Sequence, residues 1–185
     1  MRFTALAFFV GAMLAMTAVP AEAQWKSYVS RDLGFTFAAP GEVKVEKGVY
    51  KAERSGEHPA IIFRSLDDGI EYKATVVDFS SQVGNAASLL EEAVVTFQGR
   101  SKVMMDNYGR IGGLYGRKGT VDLPNNGGRS MASFYFSNGR LYEMQATIMP
   151  ANGDYASPDA ARFVDSEVLN LNNIEPGATE LKLPN

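Results

Sequence analysis

One histidine and no cysteine bound the chemistry open to this 185-residue chain. His58 sits in Ser55-Gly56-Glu57-His58-Pro59, which reads as a polar, solvent-facing loop. Zinc, copper and haem centres recruit several His or Cys ligands, so this inventory does not build one within a single chain. Thiol catalysis is excluded, and no G-x-S-x-G elbow supplies a serine for His58 to activate. Asp67-Asp68-Gly69 and Asn152-Gly153-Asp154 offer hard oxygen ligands, but neither has the alternating acidic loop and closing glutamate of a calcium site. Glu91 and Glu92 leave a helix about 100° apart and do not act as paired carboxylates from one face. No cofactor is expected. The enzymatic alternative is a hydrolase or transferase working without histidine, through carboxylate, Tyr or Arg side chains. No carboxylate pair at a readable spacing supports it.

Charge is the more informative signal. The chain carries 18 Lys and Arg against 21 Asp and Glu, a net −3. Between Gly99 and Arg140, however, Arg100, Lys102, Arg110, Arg117, Lys118, Arg129 and Arg140 face only Asp106 and Asp122, an excess of +5. Such a segment can attract an anion or an acidic partner if its charges converge in space. Arg110, Arg117 and Lys118 are the candidates: two are adjacent, and a bend at Gly112-Gly113 can return Arg110 towards them. Neighbouring strand residues point to opposite faces, so only an edge or end of the strand can present Arg117 and Lys118 together. Gly109 to Gly116 lacks the G-x-x-x-x-G-K-[ST] spacing of a phosphate loop and reads as a hairpin loop. The aromatics of the same region, Tyr108, Tyr115, Phe134, Tyr135, Phe136 and Tyr142, fit a sheet core better than a nucleic-acid platform.

The elements that must position these residues follow from periodicity. Gly34 to Pro40 alternates at period two and stops at Pro40-Gly41; Val43 and Val45 alternate with charge. Ala60–Arg64 and Ile70–Phe79 flank the hairpin signal Asp67-Asp68-Gly69. Leu89, Leu90, Ala93, Val94 and Phe97 form one helical stripe, with Asn85 or Ser88 as N-cap and Gly99 as the closing glycine. Val103–Met105 and Leu114–Leu123 return to strands, and Arg129–Phe136 pairs with Arg140–Met149 through Asn138-Gly139. That turn sets Ser137 opposite Arg140, Tyr135 opposite Tyr142, Ser133 opposite Met144 and Met131 opposite Ala146. One face of this hairpin is mostly apolar, while the other mixes Phe134, Phe136 and Leu141 with Glu143, Gln145 and Thr147. The Leu89, Val94 and Phe97 stripe is expected against the Met131 and Met144 face. Ser157, Pro158 and Asp159 open a second helix with a stripe of Ala160, Val164, Val168 and Leu171. The expected fold class is α+β, a mainly antiparallel sheet covered by an internal and a C-terminal helix, with residues 24–172 as one domain and 173–185 as a flexible tail.

Arg2, the apolar run from Ala5 to Val19 and Ala21-Glu22-Ala23 read as a secretory leader cut between Ala23 and Gln24, placing the product in the periplasm or outside the cell with no stable membrane anchor. Trp25, Tyr28, Gly34-Phe35-Thr36-Phe37, Pro40, the internal helix, Gly139-Arg140-Leu141-Tyr142 and a last helix with Phe163 together resemble the PsbP-like family. That family includes the extrinsic photosystem II protein and many bacterial exported domains. The resemblance spans about Tyr28 to Leu171. It implies an α-β-α sandwich and a binding or assembly role rather than an enzymatic one; it assigns no residue. The expected function is therefore an exported binding or assembly module for an unknown protein or small anionic ligand, not nucleic acid.

Overall fold

The computed structural model describes residues 24–169, 171 and 174–184. The leader and its cut between Ala23 and Gln24 fall outside these residues, apart from Gln24 itself. The hairpin turns behave as their residues dictate. Asp68-Gly69 and Asn138-Gly139 both take positive φ, 43° and 70° in the first and 50° and 77° in the second, the backbone of a turn that matches strand twist. They join β4 (Gly56–Asp67) to β5 (Ile70–Asp78) and β8 (Arg129–Ser137) to β9 (Arg140–Ile148). In the second hairpin Tyr135 faces Tyr142, Ser133 faces Met144 and Met131 faces Ala146, the register the dipeptide predicts. With β3 (Lys44–Ala52), β6 (Lys102–Ile111) and β7 (Leu114–Asp122), these strands make an antiparallel seven-stranded sheet ordered β3-β4-β5-β9-β8-β7-β6.

Each face of this sheet has its own core. α1 (Ala86–Gln98) carries the chain from β5 to the far edge strand β6 and sets Leu89, Ala93 and Val94 on Ala60, Val77, Ala132, Phe134 and Leu141. The expectation that this stripe meets Met131 and Met144 is corrected. Those residues belong to the opposite core, with Tyr72, Ala146 and Ile148, where α2 (Pro158–Val164) adds Ala160, Phe163 and Val164. Both hairpin faces carry enough apolar surface to take a helix, so periodicity alone does not choose between them. The second face is also closed by a small sheet of β1 (Trp25–Ser30), β2 (Phe35–Pro40) and β10 (Thr179–Glu180), whose Phe35 and Phe37 stack at 5.4 Å and meet Phe63 edge-on.

Of the two N-cap candidates, Asn85 takes the position, without a side-chain capping bond, and Ser88 lies inside α1. Three local expectations change. α2 stops at Val164, and Val168 exchanges backbone hydrogen bonds of 2.9 Å with Thr36 instead of completing a helical stripe. His58 is in a strand rather than a loop: it pairs with Tyr50 on β3, with its ring 4.4 Å from Phe79 and Nε2 3.0 Å from Ser55 Oγ. β4 runs through Pro59 because β5 pairs only from Ala60 onwards, leaving one side of the proline unpaired. The segment expected to be a flexible tail returns to the fold. β10 pairs in parallel with β1, Leu181 N–H reaches Val29 O at 2.8 Å, and Leu181 and Leu183 pack on the core.

Candidate functional site

The β6–β7 hairpin places the predicted basic residues, and it does not bring all three together. Adjacent strand positions diverge to opposite faces. Arg117 turns to the α1 face, where it pairs with Glu91 and Asp106 and lies 4.9 Å over the Tyr108 ring. Lys118 turns to the α2 face and pairs with Asp165 at 2.5 Å. Arg110 occupies the distal end, with Nε on the Gly112 carbonyl at 2.8 Å and its guanidinium 5.3 Å over Tyr115. Arg117 and Lys118 thus fasten the hairpin to the two helical sides. Arg110 makes no ion pair among the described residues.

Apolar exposure is concentrated on the same hairpin. Val103, Met104, Met105, Tyr108 and Tyr115 are all exposed, the two tyrosines at 80% and 68%. Register explains the arrangement: Tyr108 pairs with Arg117 and Arg110 with Tyr115, so rings and guanidiniums alternate diagonally on one face. β6 is an edge strand, leaving one row of backbone donors and acceptors open. The opposite edge, β3, carries Lys44, Glu46, Lys47 and Lys51, charges that discourage strand addition; β6 has Lys102 and Arg110 near its ends and Asp106 between them, the last already paired with Arg117. A bulge between Val103 and Met105 interrupts the β6 register at one end and leaves the Asp106–Ile111 stretch regular.

A second feature lies on the α1 face, beyond the C-terminal end of that helix. Here β3, β4, β5 and β9 floor a cavity of about 370 Å³ with Tyr50, Lys73, Thr75 and Glu143 among its lining, and Phe97 forms part of the wall. Glu143 stands opposite both Thr75 and Phe134. Burial pushes its carboxyl up, and Lys73 draws it partly back. Burial and the Glu143 charge push the Tyr50 phenol far above its ordinary range, so it stays neutral. The Tyr50 hydroxyl is buried without an aligned hydrogen bond, although Thr96 lies beside it. Sequence reading placed Glu143 on the mixed face but gave it no role. Its signal is a carboxylate on a central strand between Tyr142 and Met144, where water has little access. A larger groove, about 550 Å³, includes Glu42, Arg64 and Glu71, but Arg64 is already held by Glu46 and Glu71 at 2.8 and 2.6 Å.

Glu92, the other buried carboxylate on the α1 side, lines neither of these cavities. Burial pushes Glu92 up, but N–H donors from Ser55 and Arg54 outweigh it and hold the group below the ordinary range. Its Oε1 is occupied in clamping that β3–β4 turn. Glu143 is the sole carboxylate lining its own cavity among the described residues. Among those residues there is also no group of three His, Cys, Asp or Glu placed to hold a metal ion, and no helix long and apolar enough to cross a membrane.

No protein-family model and no curated protein sequence matches the chain. Among solved structures it is similar to the solution structure of cyanobacterial PsbP (CyanoP) from Synechocystis sp. PCC 6803, at a TM-score of 0.53 and 12% identity, covering 85% of this chain and 99% of that one. At this identity the likeness shows the fold: the chain is PsbP-like in architecture.

Proposed function

We propose that this PsbP-like chain is an exported, non-enzymatic binding or assembly module that docks an acidic, extended segment of a partner protein along β6. The observation that carries this reading is the joint exposure of Met104, Tyr108 and Arg110 on the open edge strand β6, with Tyr115 exposed opposite Arg110 on β7. Strand addition draws affinity from main-chain hydrogen bonds and specificity from the side chains beside them. Tyrosine and arginine are the residue types that dominate binding hot spots. Arg117, Lys118 and Arg129 already meet carboxylates, so the charge that selects an acidic partner is Arg110, which makes no ion pair among the described residues.

The supporting comparison is one of fold; the choice of partner rests on the hairpin's chemistry. A pull-down at low and high salt tests it with Tyr108→Ala/Tyr115→Ala and Arg110→Glu variants. The tyrosine variant should lose the partner at both salts. Arg110→Glu should lose most at low salt, because exposed charges are screened within about 8–10 Å at physiological ionic strength. A partner profile unchanged in both variants refutes docking on this hairpin. Export is checked separately by intact mass: the mature protein should begin at Gln24, and a retained leader would refute that part.

A further inference from the structure

The cavity beyond the end of α1 carries chemistry that partner docking on β6 does not use. Two of its polar groups are incompletely partnered. Glu143 is 5% exposed and forms no ion pair among the described residues, and the Tyr50 hydroxyl is buried with Thr96 beside it but without an aligned hydrogen bond. Buried polar groups are ordinarily satisfied, so a cavity gathering such groups is arranged for something that completes them. Lys51, Arg64 and Lys73 line the same cavity, but Lys51 pairs with Glu57 and Arg64 with Glu46 and Glu71, whereas Lys73, two residues from the Thr75 that stands opposite Glu143, forms no ion pair among the described residues. Glu143 and Lys73 are thus the charges of this cavity without an ion-pair partner, and a buried charge left unpaired is costly.

The complement of these groups is narrow. An anion alone meets Glu143, a cation alone meets Lys73, and an apolar molecule leaves the carboxylate and the phenol unsatisfied. We propose that the cavity binds a small zwitterion, an α-amino acid or close derivative, with its ammonium on Glu143 and Tyr50 and its carboxylate on Lys73. Thr75 supplies a further hydroxyl on the floor, and the Phe97 ring gives an apolar wall for a side chain. A volume of about 370 Å³ lies at the lower end of the roughly 300–1,000 Å³ of ligand pockets, suited to a molecule of this size.

The test is calorimetric titration of the purified protein with a panel of free L-amino acids, beside their N-acetyl amides, glucose and inorganic phosphate. At least one free amino acid should bind saturably, and its N-acetyl amide, lacking both charges, should not. Glu143→Gln and Lys73→Met should each weaken binding at least tenfold while the circular dichroism spectrum is unchanged. Tyr50→Phe, on an edge strand, should weaken it as well and serves if a sheet variant fails to fold. Absence of amino-acid binding at millimolar concentration, equal binding by the charge variants, or binding of glucose or phosphate in place of a zwitterion would each overturn the assignment. None of these outcomes bears on the hairpin, whose variants are scored by partner capture.

Discussion

Glu167 shows how much a single residue can commit the fold to a pH range. Both carboxylate oxygens are buried without a hydrogen bond, and burial alone pushes the group from 4.5 to about 8. A raised acid binds its proton more tightly in the folded state than in the unfolded one. Its penalty is therefore complete above pH 8, shrinks as pH falls towards 4.5 and vanishes below that. Glu92 has the opposite sign, because a lowered carboxyl stabilises above its unfolded value and loses that contribution as acid protonates it. Urea midpoints measured from pH 5 to pH 8.5 should fall for the wild type as pH rises. Glu167→Gln should flatten that slope and be the more stable protein at pH 8.5; parallel slopes would contradict the burial of Glu167. Glu92→Ala should cost about 1.5–3 kcal/mol at neutral pH, the range for hydrogen bonds to a charged group. Local proteolysis at the β3–β4 turn should report the released Arg54 and Ser55 backbone.

At the scale of elements, Gly116 carries more of the β7–β8 contact than its size suggests. A Cβ there would lie 2.2 Å from the Phe134 carbonyl oxygen and 2.4 Å from the Tyr135 ring, atoms held by the ladder. Gly116→Ala should lower the melting temperature markedly, whereas Gly113→Ala, with nothing within 4 Å, should leave it nearly unchanged; equal effects would mean β7 and β8 are not in close register. Phe134→Ala empties a fully buried ring site beneath α1 and should cost about 3–5 kcal/mol. The Asn138-Gly139 register, the β4–β5 hairpin and the α1 stripe were legible in sequence because turn chemistry and periodicity are local. The face that α1 covers was not, since Phe134 and Met144 present comparable apolar surface on opposite sides. The end of α2 is not legible locally because Val168 continues its four-residue spacing, while the open edge of β2 at Thr36 offers that backbone a better partner. Glu143 and Tyr50 meet only through long-range pairing of β3, β4, β5 and β9, which no local pattern encodes.

The whole molecule divides its surface unevenly. The end of the described chain is stitched to β1 and seals the small sheet, so ending the protein after Pro176 should lower the thermal midpoint; an unchanged midpoint would show that β10 and Leu181 contribute nothing. At the other extreme the β6–β7 hairpin stands with its apolar edge uncovered, fastened at its base by Arg117 and Lys118. The central claim is that this edge is where the molecule meets its partner. Site-specific photo-crosslinking tests it most directly, with a benzophenone side chain placed at Tyr115 on the hairpin or, as a control, at Leu66, equally exposed on β4. The account predicts a discrete adduct from position 115 that weakens with added salt and with Arg110→Glu, and none from position 66. Adducts of equal yield from both positions, or one from position 66 alone, would contradict it.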